Sequence, residues 1–416
     1  MKFFYAIGLA SSAVFIMAIY PIPQGISDNM WNVPTAVSIV SDGDTNIDEF
    51  CSLPSLHRAC EQLPFINTNG VAGLHYNFFP LGISLLAVPE IFIAKLLGIT
   101  DIVWLEWFSV WTILFAQLFS FFLLIYAFTK SNKIAALLTF LFLFATANLY
   151  TMRNMLATHG GVELMLIVAL LLLQKAEEKR DWRWSAWAAL PLVFAYLIRP
   201  TSSFFVLIFA LYIALFYRRA LLYYIELTLC VLTPFFLWSY QLYHAILPPY
   251  YQASRLSLEN FKAAFLGQMI SPNRGLFVFT PLFLLSMYGV FLSYKQKNKL
   301  YKAIGLCVSL YALALACFPH WWGGSSYGPR LFTDIIPFLI VLLIPVIEKI
   351  FQKKKLWLMS LFITLASVSL LVAIQPFISR SVWNWNLEPV SIDQHPERVW
   401  DWGDMQMLAG IKRGEL

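Results

Sequence analysis

The chain has 416 residues, of which 59% are hydrophobic, 17% aromatic and only 12% charged, and it carries a formal net charge of +6. That balance excludes a soluble multidomain protein, because apolar runs of spanning length recur from end to end and crossing hydrocarbon takes about 20 apolar residues. The positive charge need not mean a nucleic-acid partner, since it gathers in short loops between apolar runs. The sequence therefore predicts an all-α membrane protein with about eleven transmembrane helices. They fall at roughly 3–22, 104–128, 134–150, 159–174, 185–199, 201–217, 220–241, 276–294, 302–319, 331–348 and 356–376.

The first run is followed by Pro21-Ile22-Pro23 with no small-x-small cleavage pattern, so it is expected to be a retained signal anchor. With the N-terminus inside and alternation thereafter, 17 of the 29 basic residues fall at the inside edges, from Lys2 to Lys355. This is the positive-inside pattern. It predicts a polytopic domain over 1–376, with an outside loop at 23–103, and an outside tail over 377–416. Within that loop, Phe79 to Leu97 is apolar but carries Pro80, Pro89, Glu90 and Lys95, and reads as a helix lying at the interface. Tryptophans in the tail (Trp383, Trp385, Trp400, Trp402) suit the headgroup level. Cys51 and Cys60 share the outside loop, where a disulfide and two free thiols both fit.

The first loop is dense in acids: Asp28, Asp42, Asp44, Asp48 and Glu49 fall within 22 residues. Asp28, just past the first run, suits a general base. The plainer reading is that Ser27-Asp28 caps the next helix, although Pro34 suggests a helix start nearer Val33. Asp42-Gly43-Asp44 is a D-x-D triplet of the kind that holds a metal on a nucleotide sugar. An Asp-Gly turn closing the helix is the simpler reading. Asp48 and Glu49 fit a substrate contact or a solvated acidic face. Three arginines stand at the ends of runs: Arg199 before Pro200, Arg274 after Asn273, and Arg330 after Pro329. Arginine at membrane depth is costly and suits forked phosphate contacts, so a phosphate-bearing lipid and plain headgroup anchoring are the two readings. Asp334, four residues after Arg330, would share its face of an α-helix. His320-Trp321-Trp322-Gly323-Gly324 reads as an aromatic wall on a tight turn, or as part of an interface belt.

Taken in order, these strings resemble the GT-C class of polytopic membrane glycosyltransferases, which use lipid-phosphate sugars and include the aminoarabinose transferases of lipid A and the protein O-mannosyltransferases. Asp28 stands at the aspartate position of that class and Gly43-Asp44 at the pair that ends its interfacial helix. Further similar strings are Tyr76-Asn77-Phe78-Phe79-Pro80-Leu81-Gly82, Arg199-Pro200-Thr201-Ser202, Arg274-Gly275-Leu276-Phe277-Val278, and Trp322-Gly323-Gly324 through Tyr327-Gly328-Pro329-Arg330. The likeness covers about residues 1–350. It departs at Asn29, where many relatives carry a second acid, and at Phe79, where many carry a lysine. The resemblance implies transfer of a sugar from a polyprenyl-phosphate carrier to a glycan, lipid or protein acceptor, at the outer face of a bacterial inner membrane. It implies Asp28 as catalytic base. Asp44, Asp48, Glu49, Arg199, Arg274, His320, Arg330 and Asp334 are expected to bind substrate, with no metal and no cofactor beyond the donor. A transporter or flippase of lipid-linked sugars is the alternative. It would place charged or broken spans near the midplane.

Overall fold

The structure, a computed structural model, describes residues 2–19, 28–53, 66–67, 74–152, 155–251, 256–295 and 297–415. Ser27 and Cys60 lie outside them. The regular secondary structure of the described residues is helical apart from one short antiparallel pair of strands, Ile66–Asn67 against Tyr76–Asn77, with Asn46 bridging to Tyr76.

Five helical stretches are long and apolar enough to cross a membrane: Ile102–Thr129, Thr158–Lys179, Arg218–Tyr243, Arg330–Lys353 and Leu356–Ile378. A helix satisfies all its backbone groups internally, which is what hydrocarbon demands. The other expected spans are apolar helices of lesser length, such as Lys2–Ala18, Asn132–Phe144 and Leu300–Ala316. The segment expected at 185–199 is divided into Trp182–Trp187 and Ala189–Ile198. Arg218–Tyr243 is mostly exposed yet apolar, with Leu222 71% and Leu237 59% accessible. An outward face of that kind suits lipid rather than water.

Chain reversals explain where the helices stop. Lys130, Arg180 and Lys354 each take a left-handed φ of 45–54° directly after a helix. A cation there also meets the negative end of the helix dipole. Arg199 ends the Ala189–Ile198 helix in an extended conformation because Pro200 follows, and the residue before proline is pushed out of the α region. Arg330–Lys353 is three pieces, a 3₁₀ turn at Arg330–Ile335 and helices Ile336–Val341 and Ile344–Lys353. Pro337 and Pro345 each open a helical piece, where a missing N–H is tolerated. At the second break the Leu342 carbonyl approaches Gly289 so closely that a Cβ there would lie 1.8 Å from it.

Two compact units result, each built from separated stretches of chain. The acid-loop unit comprises Ala6–Ser120 and Met152–Ala253. In it the Gly82–Leu96 helix packs on Asn32–Ser41 and on Ala189–Ile198. Ile83, Ala87, Ile91 and Ala94 form its buried face, while Phe92, Ile93 and Leu96 are exposed. Such a one-sided apolar helix fits an interfacial position. The tail unit comprises Met1–Tyr5, Phe121–Thr151 and Ser254–Leu416, so residues 377–415 pack as part of it.

Candidate functional site

In the acid-loop unit, Asp28 sits half-buried in a turn that leads into the Asn32–Ser41 helix. The N-cap of that helix is Trp31, which makes no side-chain cap bond, and Asp28 lies three residues before it. The turn is held from the helix side. Asn32, fully buried, donates from Nδ2 to the Leu156 carbonyl at 2.8 Å and accepts from Asn77 Nδ2 at 3.1 Å. Leu156 N–H in turn donates to the buried Glu106 carboxylate. The same 155–159 turn leads to Thr158 and His159. Arg199 Nη1 lies 3.4 Å from Thr158 Oγ1, and 2.9 and 3.1 Å from the two ring nitrogens of buried His159. Hydrogen bonds thus link the turn carrying Asp28 to the turn that holds Arg199.

The D-x-D triplet closes its helix. Asp42 and Gly43 N–H groups both donate to the Ser38 carbonyl, and Gly43 takes φ +76°, which glycine adopts without steric cost. Asp44 is exposed and accepts from Asn46 N and Nδ2 at 3.1 and 2.8 Å, an Asx turn. Asp48 pairs with His75 Nδ1, and Glu49 accepts from Ser38 Oγ. Burial, with Asp44 and Asp48 nearby, pushes the Tyr76 hydroxyl up. Among the described residues, no three or more His, Cys, Asp or Glu side chains gather so that they could hold a metal ion. Cys51 is disulfide-bonded, whereas Cys230, Cys307 and Cys317 are free.

In the tail unit, Arg274 is 1% exposed and its guanidinium is fully occupied. Nε donates to the Trp322 carbonyl at 2.7 Å. Nη1 donates to the Asn273 carbonyl and Gln406 Oε1, at 2.6 and 2.7 Å. Nη2 donates to the Gly324 carbonyl and Asn386 Oδ1, at 3.1 and 2.9 Å. An arginine has five N–H donors, so none remains for a phosphate. Burial pulls its pKa down to about 9, still above neutral pH, and the side chain stays charged. Arg274 therefore organises the protein, tying the 320s turn to the tail.

Arg330 opens a 3₁₀ segment, in which residues three apart share a face. Thr333 Oγ1 donates to the Arg330 carbonyl at 2.6 Å. Leu331 and Asp334 share a second face, where Tyr311 OH lies 3.4 Å from the Leu331 carbonyl and 2.6 Å from Asp334 Oδ2. Asp334 thus lies off the Arg330 face, because the period is 3 and not 3.6. Phe332 and Ile335 form the third face and line an apolar cavity of about 460 Å³, together with Phe265, Met269, Phe277 and Val308. His320 is exposed and stacks on Trp322 with ring centroids 4.4 Å apart. Trp322 Nε1 donates to Asp393 at 2.9 Å.

Asp28, Asp44, Asp48, Glu49 and Arg199 fall in the acid-loop unit, and Arg274, His320, Arg330 and Asp334 in the tail unit. Sequence reasoning did not single out Asn32, Glu106, His75 or Asp393. A buried acid at the start of a spanning run, as at Glu106, was the one available signal. No protein family, curated protein or solved structure matches the chain.

Proposed function

We propose that this chain is a membrane glycosyltransferase that moves a sugar from a polyprenyl-phosphate carrier to a glycan, lipid or protein acceptor at the outer face of a bacterial inner membrane. The observation that carries this reading is the Arg330–Ile335 turn. One short segment contributes Phe332 and Ile335 to an apolar space of about 460 Å³ and, from another face, a half-buried arginine. Ligand pockets run from about 300 to 1,000 Å³, and a hydrocarbon chain ending in an anion has the matching chemistry. Arg330 would take a lipid phosphate in a forked contact. Within the acid-loop unit, Asp28 would accept the acceptor's proton as the acceptor atom attacks the anomeric carbon. The sugar–phosphate bond breaks with its electron pair going to the phosphate, whose growing charge a cation such as Arg199, held beside His159 and Thr158, stabilises.

The test is donor kinetics with purified protein and a polyprenyl-phosphate sugar. Arg330→Lys should raise donor KM or lower kcat by about tenfold or more, because an ammonium cannot fork, and Arg330→Ala should do more harm. Wild-type kinetics in both variants would remove Arg330 from the site. One feature favours a transporter: Gln117 donates to Glu163, and both are fully buried within spanning helices. A transporter would move the donor across vesicles without consuming it, which the same donor distinguishes.

The topology that this reading requires puts the N-terminus inside and the tail outside. Reporter fusions after Lys133 and Trp402 should read inside and outside respectively. An inside signal at Trp402 would overturn this topology.

A further inference from the structure

The turn around His320 and Trp322 has a use that phosphate chemistry does not explain. His320 is 59% and Asp393 42% exposed at the side chain, so both reach solvent. The imidazole and the indole of Trp322 overlap at 4.4 Å with an interplanar angle of 35°. Asp393 Oδ1 accepts from Trp322 Nε1 at 2.9 Å and lies 3.9 Å from His320 Nε2. Gly324 lies beside the carboxylate, where a Cβ would make only ordinary contact, 3.8 Å from Asp393 Oδ1 and 3.9 Å from Oδ2. Its φ of +67° is one that side chains rarely adopt.

The frame behind this surface is rigid. Arg274 holds the Trp322 and Gly324 carbonyls from below. Trp321 is buried and packs on Gly267, where a Cβ would meet its ring at 2.1 Å. The half-buried Trp322 indole, fixed against the exposed His320 imidazole and beside the Asp393 carboxylate, offers an apolar ring next to hydrogen-bonding groups. That is the pattern that orients small ligands. A pyranose ring matches it, because its C–H face lies on an aromatic ring while its hydroxyls donate to a carboxylate and accept from a ring nitrogen. An organic cation matches it less well, because the charged Arg274 guanidinium stands behind the turn, bonded to the Trp322 and Gly324 carbonyls.

We propose that His320, Trp322 and Asp393 form a carbohydrate-binding subsite that receives a sugar ring of a glycan acceptor. Its description as an acceptor subsite rests on the transferase reading, but the binding itself does not.

The experiment is saturation-transfer NMR on the full-length protein in a detergent without a sugar headgroup, with no donor present. The probes are the methyl glycosides of glucose, galactose, mannose and N-acetylglucosamine, with tetramethylammonium as the cation probe. Transfer to the C–H protons of at least one glycoside is expected. It should weaken about tenfold in Trp322→Ala and in Asp393→Asn. Trp322→Phe, which keeps a ring, should bind better than Trp322→Ala, and Trp402→Ala, an exposed tryptophan elsewhere in the tail, should bind as wild type. Transfer to tetramethylammonium alone, to no probe, or equally in wild type and Trp322→Ala overturns the subsite. Sugar binding in a protein that never turns over a polyprenyl-phosphate sugar would leave the subsite standing and remove the transferase reading.

Discussion

Arg274→Ala is expected to cost about 3–5 kcal/mol of stability, because it strands several buried acceptors at about 1–3 kcal/mol each. The substitution strips donors from the carbonyls of Asn273, Trp322 and Gly324 and from the side-chain oxygens of Asn386 and Gln406. An acceptor left buried without a partner carries its whole desolvation penalty. Gln406 is the second pillar of the same arrangement. Its N–H donates to Asn273 Oδ1 at 2.6 Å, and its Nε2 to the Ser326 and Val382 carbonyls at 3.0 and 3.1 Å. Trp385 lies against both Arg274 and Arg398, 5.7 and 4.3 Å from the ring centroid, so an aromatic face separates two cations. Arg274→Lys should recover only part of the loss, because three donors on a compact head cannot replace a five-donor fork. Thermal unfolding of the purified protein and limited proteolysis of residues 377–415 give the readout. The midpoint should fall, and the tail should be cut first in Arg274→Ala. An unchanged midpoint with a protected tail would mean that Arg274 is not the pin that holds the tail.

The role of Arg274 was beyond the reach of sequence, and the reason is physical. Asn273-Arg274-Gly275 ahead of an apolar run reads equally well as a headgroup contact, and the deciding partner, Gln406, lies 132 residues away. What could be read was local. Long uncharged runs gave the five helices that are long and apolar enough to cross a membrane. Pro200 set the break at Arg199, Pro34 the late helix start at Asn32, and Asp-Gly the turn at Asp42–Asp44. Arg330 and Asp334 mark the opposite case. A spacing of four implies a shared face only if the chain is α-helical, and between Pro329 and Pro337 it winds as 3₁₀ instead. The shorter helices have a similar origin, because hydropathy counts apolar residues regardless of a kink. Pro281 lies between Leu276–Phe279 and Phe283–Ser293, within a run that reads as one span. Glu163 and Gln117 were hidden for another reason: two polar residues in long apolar runs barely alter the average, yet the fold brings them together.

Asp28→Asn is expected to lower kcat for sugar transfer by at least about a hundredfold, the low end for loss of a general base. The amide keeps the size of the side chain and removes the group that would take the proton. The fold should survive, since Asn32 anchors the adjoining helix through its bonds to Leu156 and Asn77. Asp44→Asn serves as the contrast. Asp44 is exposed and bonds to Asn46 in an Asx turn that asparagine also makes, so turnover should stay within a factor of about two. Asn32→Ala separates positioning from chemistry. It leaves the Asp28 carboxylate in place but removes the two bonds that tie its turn to Leu156 and Asn77, and kcat should fall because a base must stay within hydrogen-bond reach of the proton it takes. Restoring the amide with Asn32→Gln should not rescue it, since the longer side chain misplaces both bonds. The measurement is single-turnover transfer from a polyprenyl-phosphate sugar, with unfolding midpoints recorded for each variant. Near-wild-type turnover in Asp28→Asn, with a fold as stable as the parent's, would leave the acid-loop unit without its base.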